Sequence, residues 1–464
     1  MENNPLIYHP YKKAHLFFYS KCLKTNDINF LFFKKNSEKF YSTISTEVND
    51  VDNAPPFSIS RELTNSYGNL FTEHTIDKII SKTPLTKEDI NKEEKVILPY
   101  KLWSKDSYMY WLGQLSNNVI QYDEIKEEVI YFIELPYISI EDFNNNLKSI
   151  DFYGTFEYVN LNNYSNYTFS EETMRLFSFI SINDAISHVI STEQAKKEDK
   201  LDTYIVLACK KKGKDQIGFF HFPALFQGLY RRNNEKWIYL VPSADELPNE
   251  ELLKKSKCII IPGSELSVYE DYDFLRKTEV FLKQLIEDIL YQGKYPQLKI
   301  LGICFGMEIV ISALGGKIGN MGKGKNVRDP EKIKLIEDFW NLQFVKNSTV
   351  SKVETLSMCE AHGDFIEQWP DKYKIKIYGK SPSCNCEVMV DEKEKLFLVQ
   401  GHPEYHPQFF ITRGVEWYLS FEKKENTEEN CLNFLNKSLS LEHNKNVNSK
   451  EWRQLCYTFM KKSS

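Results

Sequence analysis

The chain reads as an α/β protein of two domains, the second a parallel sheet sandwiched by helices with its site at the carboxyl ends of the strands. Three observations lead there. At 464 residues the chain is too long for one ordinary domain and long enough for two cores. Short apolar runs in the second half each end in a glycine-bearing loop, at residues 257–263, 298–302 and 395–401. One of those loops leads straight into a helical stretch over 308–314.

Taken in order, residues 10–195 form the first predicted domain. Strand-like runs fall at 16–19, 29–33 and 128–135, and helical stretches at 57–67, 171–180 and 182–191. Residues 85–94 are highly charged and read as a surface helix or loop. Strands mixed with helices indicate an α/β or α+β domain. Within it, Ser58-Ile59-Ser60-Arg61-Glu62-Leu63-Thr64-Asn65-Ser66-Tyr67-Gly68 resembles the second part of a Nudix box. Arg61, Glu62 and Gly68 match, but Asn65 and Ser66 stand where that family carries metal-binding carboxylates. The upstream Gly and Glu of the box are replaced by Glu47 and Asn53. Hard cations need oxygen anions, so the usual site is lost. Two readings stay open, a degenerate Nudix-like domain or an unrelated α/β domain, neither catalytic. The polar stretch 193–200, followed by a new apolar strand at 204–208, reads as the linker.

The second predicted domain spans 201–425. In Leu298-Lys299-Ile300-Leu301-Gly302-Ile303-Cys304-Phe305-Gly306-Met307 a cysteine sits between two glycines where a strand meets a helix. The glycines leave space for a sharp turn that lifts a side chain out at the top of a sheet. A sulfur there faces the positive end of a helix, which is expected to lower its pKa. About a hundred residues on comes Leu398-Val399-Gln400-Gly401-His402-Pro403-Glu404-Tyr405, again after a short apolar strand. A cysteine nucleophile needs a base, and the base needs a group that fixes its tautomer. His402 and Glu404 are of the right types for those roles. Acyl chemistry also needs backbone N–H donors for the oxyanion. Phe305, next to the cysteine, and Gly263, at the end of Ile259-Ile260-Ile261-Pro262-Gly263-Ser264, are the candidates.

This constellation resembles a class I glutamine amidotransferase domain, a Cys-His-Glu hydrolase of γ-glutamyl amides, and within that class the GMP-synthase-like and γ-glutamyl peptidase branch. The matching residues are 261–264, 301–307, 314–319, His362-Gly363-Asp364-Phe365 and 400–405, in the family's order. The resemblance implies Cys304, His402 and Glu404 as catalytic residues and Gly263 and Phe305 as the oxyanion hole. It also implies substrate contacts from position 308 and from His362, Gly363 and Asp364. One departure stands out: Glu308 occupies the place of a family Gln that helps hold the glutamyl moiety. A carboxylate there would repel an α-carboxylate, could favour an α-ammonium, and would raise the pKa of Cys304. The other reading of Glu308 is a solvent-facing first-turn residue that suits the helix dipole.

The remainder, 426–464, reads as a helical tail, with Trp452, Leu455 and Phe459 at helical spacing. A net charge of −6 with dispersed Lys and Arg argues against nucleic acid as the main partner. No apolar run is long enough to span a bilayer, and residues 1–5 carry no signal-peptide or transit pattern. Nine cysteines without a regular framework fit a reducing compartment, so a cytoplasmic location is expected. Cys384-Asn385-Cys386 has the wrong spacing for a zinc pair, and neither a metal nor another cofactor is expected. The expected partner is a small γ-glutamyl substrate, with room for a protein partner or larger assembly. The sequence thus predicts hydrolysis of a γ-glutamyl amide or peptide bond through a thioester. Its rival is an altered or inactive amidotransferase-like component of an assembly, which Glu308 and the lost Nudix carboxylates favour.

Overall fold

A computed structural model describes residues 11–21, 28–48, 54–67, 73–86, 95–98, 101–104, 119–123, 127–150, 152–160, 166–179, 201–211, 222–232, 235–322, 330–407 and 447–461, with isolated positions between. The chain divides into two compact units, one of residues 11–200 and the other centred on 235–464 with 201–231.

The first unit holds β1 (Lys13–Lys21), β2 (Ile28–Lys35), β3 (Ile44–Glu47), β4 (Lys95–Leu98), β5 (Lys101–Ser104), β6 (Val119–Asp123), β7 (Glu128–Glu134) and β8 (Gly154–Asn160). Its main sheet runs β6-β7-β1-β2-β8, and β4 pairs with β5 apart from it. β2 takes Phe18 to Lys21 of one edge of β1, and β3 pairs with Lys13 to Leu16. Among the described strands of this sheet only β1 and β7 are parallel to each other. Side chains alternate across a strand, so Leu16 and Phe18 join one core with Ile59 and Leu63 of the helix Pro55–Tyr67. Phe17 and Tyr19 join another with Leu176 of the helix Glu171–Phe179. A sheet buried on both faces reads as the near-continuous apolar run seen in β1 and β2. In the helix Pro55–Tyr67, Ser66 donates to the Glu62 carboxylate at 2.6 Å. Residues 87–94, 182–191 and 193–200 of the expectations above lie outside the described residues.

The second unit holds β9 (Asp202–Leu207), β10 (Glu235–Leu240), β11 (Ser256–Ile261), β12 (Lys299–Ile303), β13 (Lys317–Asn320), β14 (Glu331–Leu335), β15 (Thr355–Met358), β16 (Asp364–Gln368), β17 (Ile375–Lys380), β18 (Val388–Asp391) and β19 (Leu396–Val399). Nine of these form one sheet, β10-β9-β11-β12-β19-β18-β17-β14-β15, while β13 and β16 make a separate ladder. The α/β class is as expected, but the sheet is parallel only from β10 to β19. β18, β17, β14 and β15 extend it antiparallel. The reason is connection length: β18 reaches β19 by a short turn at Glu392 to Lys395, too short for the crossover a parallel neighbour requires.

Helices cover the parallel half. The helix Asp273–Glu287 buries Leu275, Thr278, Leu282, Leu285 and Ile286, one stripe at helical spacing. The helix Phe305–Ala313 is buried almost throughout, as its apolar sequence requires. The C-terminal helix Ser449–Lys461 buries Trp452, Leu455 and Phe459. Phe459 packs on Phe344 and Phe397, and its carbonyl accepts from the Lys299 ammonium at 2.9 Å. Among the described residues no helix is long and apolar enough to cross a membrane.

Trp452 is fully buried. Its replacement by Ala is expected to cost about 3–5 kcal/mol through the cavity left behind. The measurement is the urea midpoint of unfolding beside wild type.

Candidate active site

β12 ends at Ile303, and Cys304 follows as the N-cap of the helix Phe305–Ala313 with φ 52° and ψ −113°. A positive φ at a residue with a side chain costs roughly 1–3 kcal/mol and persists only where surrounding contacts enforce it. Here the Cys304 N–H donates to the Val399 carbonyl of β19 at 2.8 Å, and the Cys304 carbonyl accepts from the N–H groups of Met307 and Glu308. A Cβ at Gly306 would drive into the Ile261 carbonyl of β11, and one at Gly302 would lie 2.8 Å from the Gly306 carbonyl. The glycines therefore supply close approach, while the strained turn falls on the cysteine itself.

His402 follows β19 by the short run Gln400-Gly401. Its N–H donates to the Cys359 carbonyl at 2.7 Å, which fixes the loop. Its Nδ1 lies 2.8 Å from a Glu404 carboxylate oxygen, so the imidazole donates there and its Nε2 is left as the basic nitrogen. The ring stacks on Tyr405 with centroids 5.0 Å apart. From the C-terminal helix, Arg453 donates to the Glu404 carbonyl at 3.0 Å and Ser449 to the Tyr405 carbonyl at 3.1 Å. Gly263, at the end of β11, joins the two halves. A Cβ there would stand 2.9 Å from His402 Cε1 and 3.7 Å from Cys304 Cβ. Cys304, His402, Glu404, Gly263 and Phe305 are thus brought to one place, where the carboxyl ends of three neighbouring strands meet.

The electrostatics differ from the sequence expectation. The Cys304 thiol is buried and donates weakly to the Ala361 carbonyl at 3.8 Å. Burial pushes its pKa well above the ordinary thiol range, and the carboxylates of Glu308, Glu360 and Glu404 push it further. The Phe305 backbone N–H opposes this but does not win. The expected lowering by the helix N-terminus is therefore overturned: desolvation of a thiolate outweighs a partial dipole charge.

Glu308 is only 3% exposed, which rules out the solvent-facing reading. Its carboxyl accepts from Gln400 Nε2 at 2.8 Å, and burial raises its pKa to about 8, with Asp364 adding to the rise. Asp364 is itself buried and accepts from Tyr269 OH at 2.9 Å and Asn320 Nδ2 at 2.6 Å. The Gly363 carbonyl accepts from the Met321 N–H. His362 is buried with Nδ1 2.8 Å from the Asp364 carbonyl and Nε2 3.6 Å from Glu360. The reading from sequence missed Glu360, Glu387 and Arg453, since no spacing ties them to Cys304. Gln400 lay inside a motif already singled out, with nothing to mark its partner.

Residues 225–414 match the family described as Glutamine amidotransferase class-I. This part of the chain is a class I glutamine amidotransferase domain. Gamma-glutamyl peptidase 2 of Arabidopsis thaliana is 27% identical over 42% of this chain and 71% of its own length. Gamma-glutamyl peptidase 4 of the same plant is 24% identical over 54% of this chain and 90% of its own. GMP synthase [glutamine-hydrolyzing] of Wigglesworthia glossinidia brevipalpis is 28% identical over 46% of this chain and 37% of its own.

Glu308 carries a pH signature. Its folded pKa lies near 8 against an ordinary 4.5, so the folded state holds a proton that the unfolded state has released between those values. Stability then falls as pH rises from 4.5 towards 8, by up to roughly 1.4 kcal/mol per pH unit. Glu308→Gln is expected to remove that slope and to gain more stability at pH 8 than at pH 5, measured by urea unfolding at both.

Proposed function

We propose that the second unit hydrolyses a γ-glutamyl amide or peptide bond with Cys304 as nucleophile, His402 as general base and acid, and Glu404 as its orienter. The observation that carries the reading is the strained Cys304 turn beside the His402–Glu404 pair, with Gly263 packed against both. Since the thiol is pushed up rather than down, Cys304 attacks as its proton passes to His402 Nε2. A C–S bond forms at the γ-carbonyl, and the oxyanion lies against the Gly263 and Phe305 amides. His402 then gives the proton to the leaving amine as the C–N bond breaks. Water, deprotonated by His402, opens the thioester, releasing the glutamyl carboxylate and restoring the thiol.

Glu308 bears on the substrate. Below pH 8 it is largely the neutral acid, a donor and acceptor of nearly the same reach as Gln. It then holds a glutamyl group without repelling the α-carboxylate, and above that pH it becomes an anion. The γ-glutamyl peptidases among the relatives favour a peptide or conjugate over free glutamine. A second reading, an inactive component of an assembly, draws on one observation: three carboxylates raise the pKa of the very thiol that must react.

The deciding measurement is glutamate release from γ-glutamyl dipeptides and from glutamine at pH 6–9. Wild type is expected to cleave the dipeptides, with activity falling above pH 8, and Cys304→Ala to lose at least about 10³-fold. Glu308→Gln is expected to keep its activity above pH 8 and to gain on glutamine. Absence of release from any substrate by wild type, together with no labelling of Cys304 by a glutamine-analogue electrophile, would establish the inactive reading.

A further inference from the structure

Behind the His402 loop lies a second cluster of buried groups that the proposed hydrolysis does not use. Glu360 and His362 follow β15, and Glu387 immediately precedes β18. All three are buried, Glu360 and Glu387 completely. One ligand atom from each lies within 4.8 Å of the others. Both oxygens of Glu360, the Nε2 of His362 and one oxygen of Glu387 have no hydrogen-bond partner among the described residues. The second Glu387 oxygen accepts from Ser381 at 2.6 Å.

The tautomer of His362 is settled by its neighbour. The Asp364 carbonyl can only accept, so Nδ1 carries the proton and Nε2 presents a lone pair. That lone pair faces a Glu360 oxygen 3.6 Å away. Burial pushes the Glu360 carboxyl well above the ordinary carboxylate range, and its neighbours Glu387, Glu331 and Glu404 add to the rise. Glu331 is held at its far side by the Ser383 hydroxyl at 2.6 Å.

Protonation of Glu360 alone does not resolve this. Its O–H would face His362 Nε2 across 3.6 Å, beyond the reach of a good hydrogen bond. Without a proton on Glu360, a single water has only two protons for three acceptor groups. A cation satisfies all of them at once. We propose that Glu360, His362 and Glu387 form a binding site for one divalent transition metal ion, of the Zn²⁺ class. Two carboxylates and an imidazole whose other nitrogen donates to a backbone carbonyl are the donor set and outer support such ions take. Tetrahedral Zn²⁺ would need its ligand atoms about 3.4 Å apart, a contraction of up to about 1.4 Å from the 4.8 Å spread observed. The closed interior disfavours Mg²⁺, which keeps several waters.

The site is coupled to the nucleophile through the backbone. The Ala361 carbonyl, between two of the ligands, receives the Cys304 thiol. A Cβ at Gly401, next to His402, would run into the Glu360 carboxylate. A bound dication therefore offsets one of the carboxylates that push the thiol up, and makes Cys304 more reactive near neutral pH.

The test uses the full chain freed of metal by chelation, titrated with Zn²⁺ against a chromophoric competitor and, separately, with Co²⁺. One equivalent is expected to bind, with affinity lowered at least about tenfold in each of Glu360→Gln, His362→Gln and Glu387→Gln. The Co²⁺ form is expected to lack a thiolate charge-transfer band. Alkylation of Cys304 by iodoacetamide at pH 7.5 is expected to run about tenfold faster with Zn²⁺ than without in wild type, and unchanged by Zn²⁺ in Glu360→Gln. No stoichiometric binding would overturn the proposal and leave buried water as the occupant. So would binding undiminished in all three variants, or a thiolate band lost in Cys384→Ser or Cys386→Ser. The three variants are read independently, each by the circular dichroism of its metal-free form, so one that fails to fold does not decide the outcome. None of these readouts requires turnover, so the metal site and the hydrolase reading fail separately.

Discussion

The second unit is organised around a single strained residue. Cys304 takes a left-handed backbone conformation because β11, β12 and β19 end together, and the chain must leave β12 between its two neighbours. The Val399 carbonyl holds the Cys304 amide from one side, and Gly306 lies flush against the Ile261 carbonyl on the other. Relaxing the turn would pull the helix Phe305–Ala313 off β11 and break the contact with β19. Packing of this kind holds a local conformation that costs energy, and it delivers a sulfur to the loops after all three strands.

Around that sulfur, burial and charge outweigh the helix dipole. A partial positive charge at a helix N-terminus is worth about 1 kcal/mol at exposed positions. Removing a thiolate from water beside three carboxylates works in the opposite direction and more strongly. The arrangement keeps the sulfur a thiol rather than one half of a resting ion pair. The His402–Glu404 hydrogen bond fixes the imidazole tautomer and leaves the lone pair on Nε2. A proton on Glu308 removes one of those charges, and the proposed cation at Glu360 would offset another.

The C-terminal helix belongs to the same arrangement. Arg453 and Ser449 hold the carbonyls of Glu404 and Tyr405, so the segment bearing His402 and Glu404 is fastened from behind by residues some fifty positions later. Lys299, a charged residue inside β12, is accommodated because the last turn of that helix offers the Phe459 carbonyl. Satisfying a buried ammonium in this way links the strand that carries Cys304 to the end of the chain.

Much of the second unit could be read directly from sequence. Apolar strands, the glycines around Cys304 and the order of the motifs all rest on local patterns, since period, turn chemistry and close approach are written in neighbouring residues. The same local logic placed β1, β2 and β7 of the first unit. It did not foresee the antiparallel half of the large sheet, which depends on turn lengths between weakly patterned segments. Nor did it find Glu360, Glu387 or Arg453, whose significance comes only from contacts across long stretches of chain. Glu308 shows the division most plainly. Its identity and its place one turn after the cysteine were legible, but whether it faced water or the interior was not. Only the tertiary structure buried it against Gln400, and burial is what keeps a carboxylic acid protonated near neutral pH.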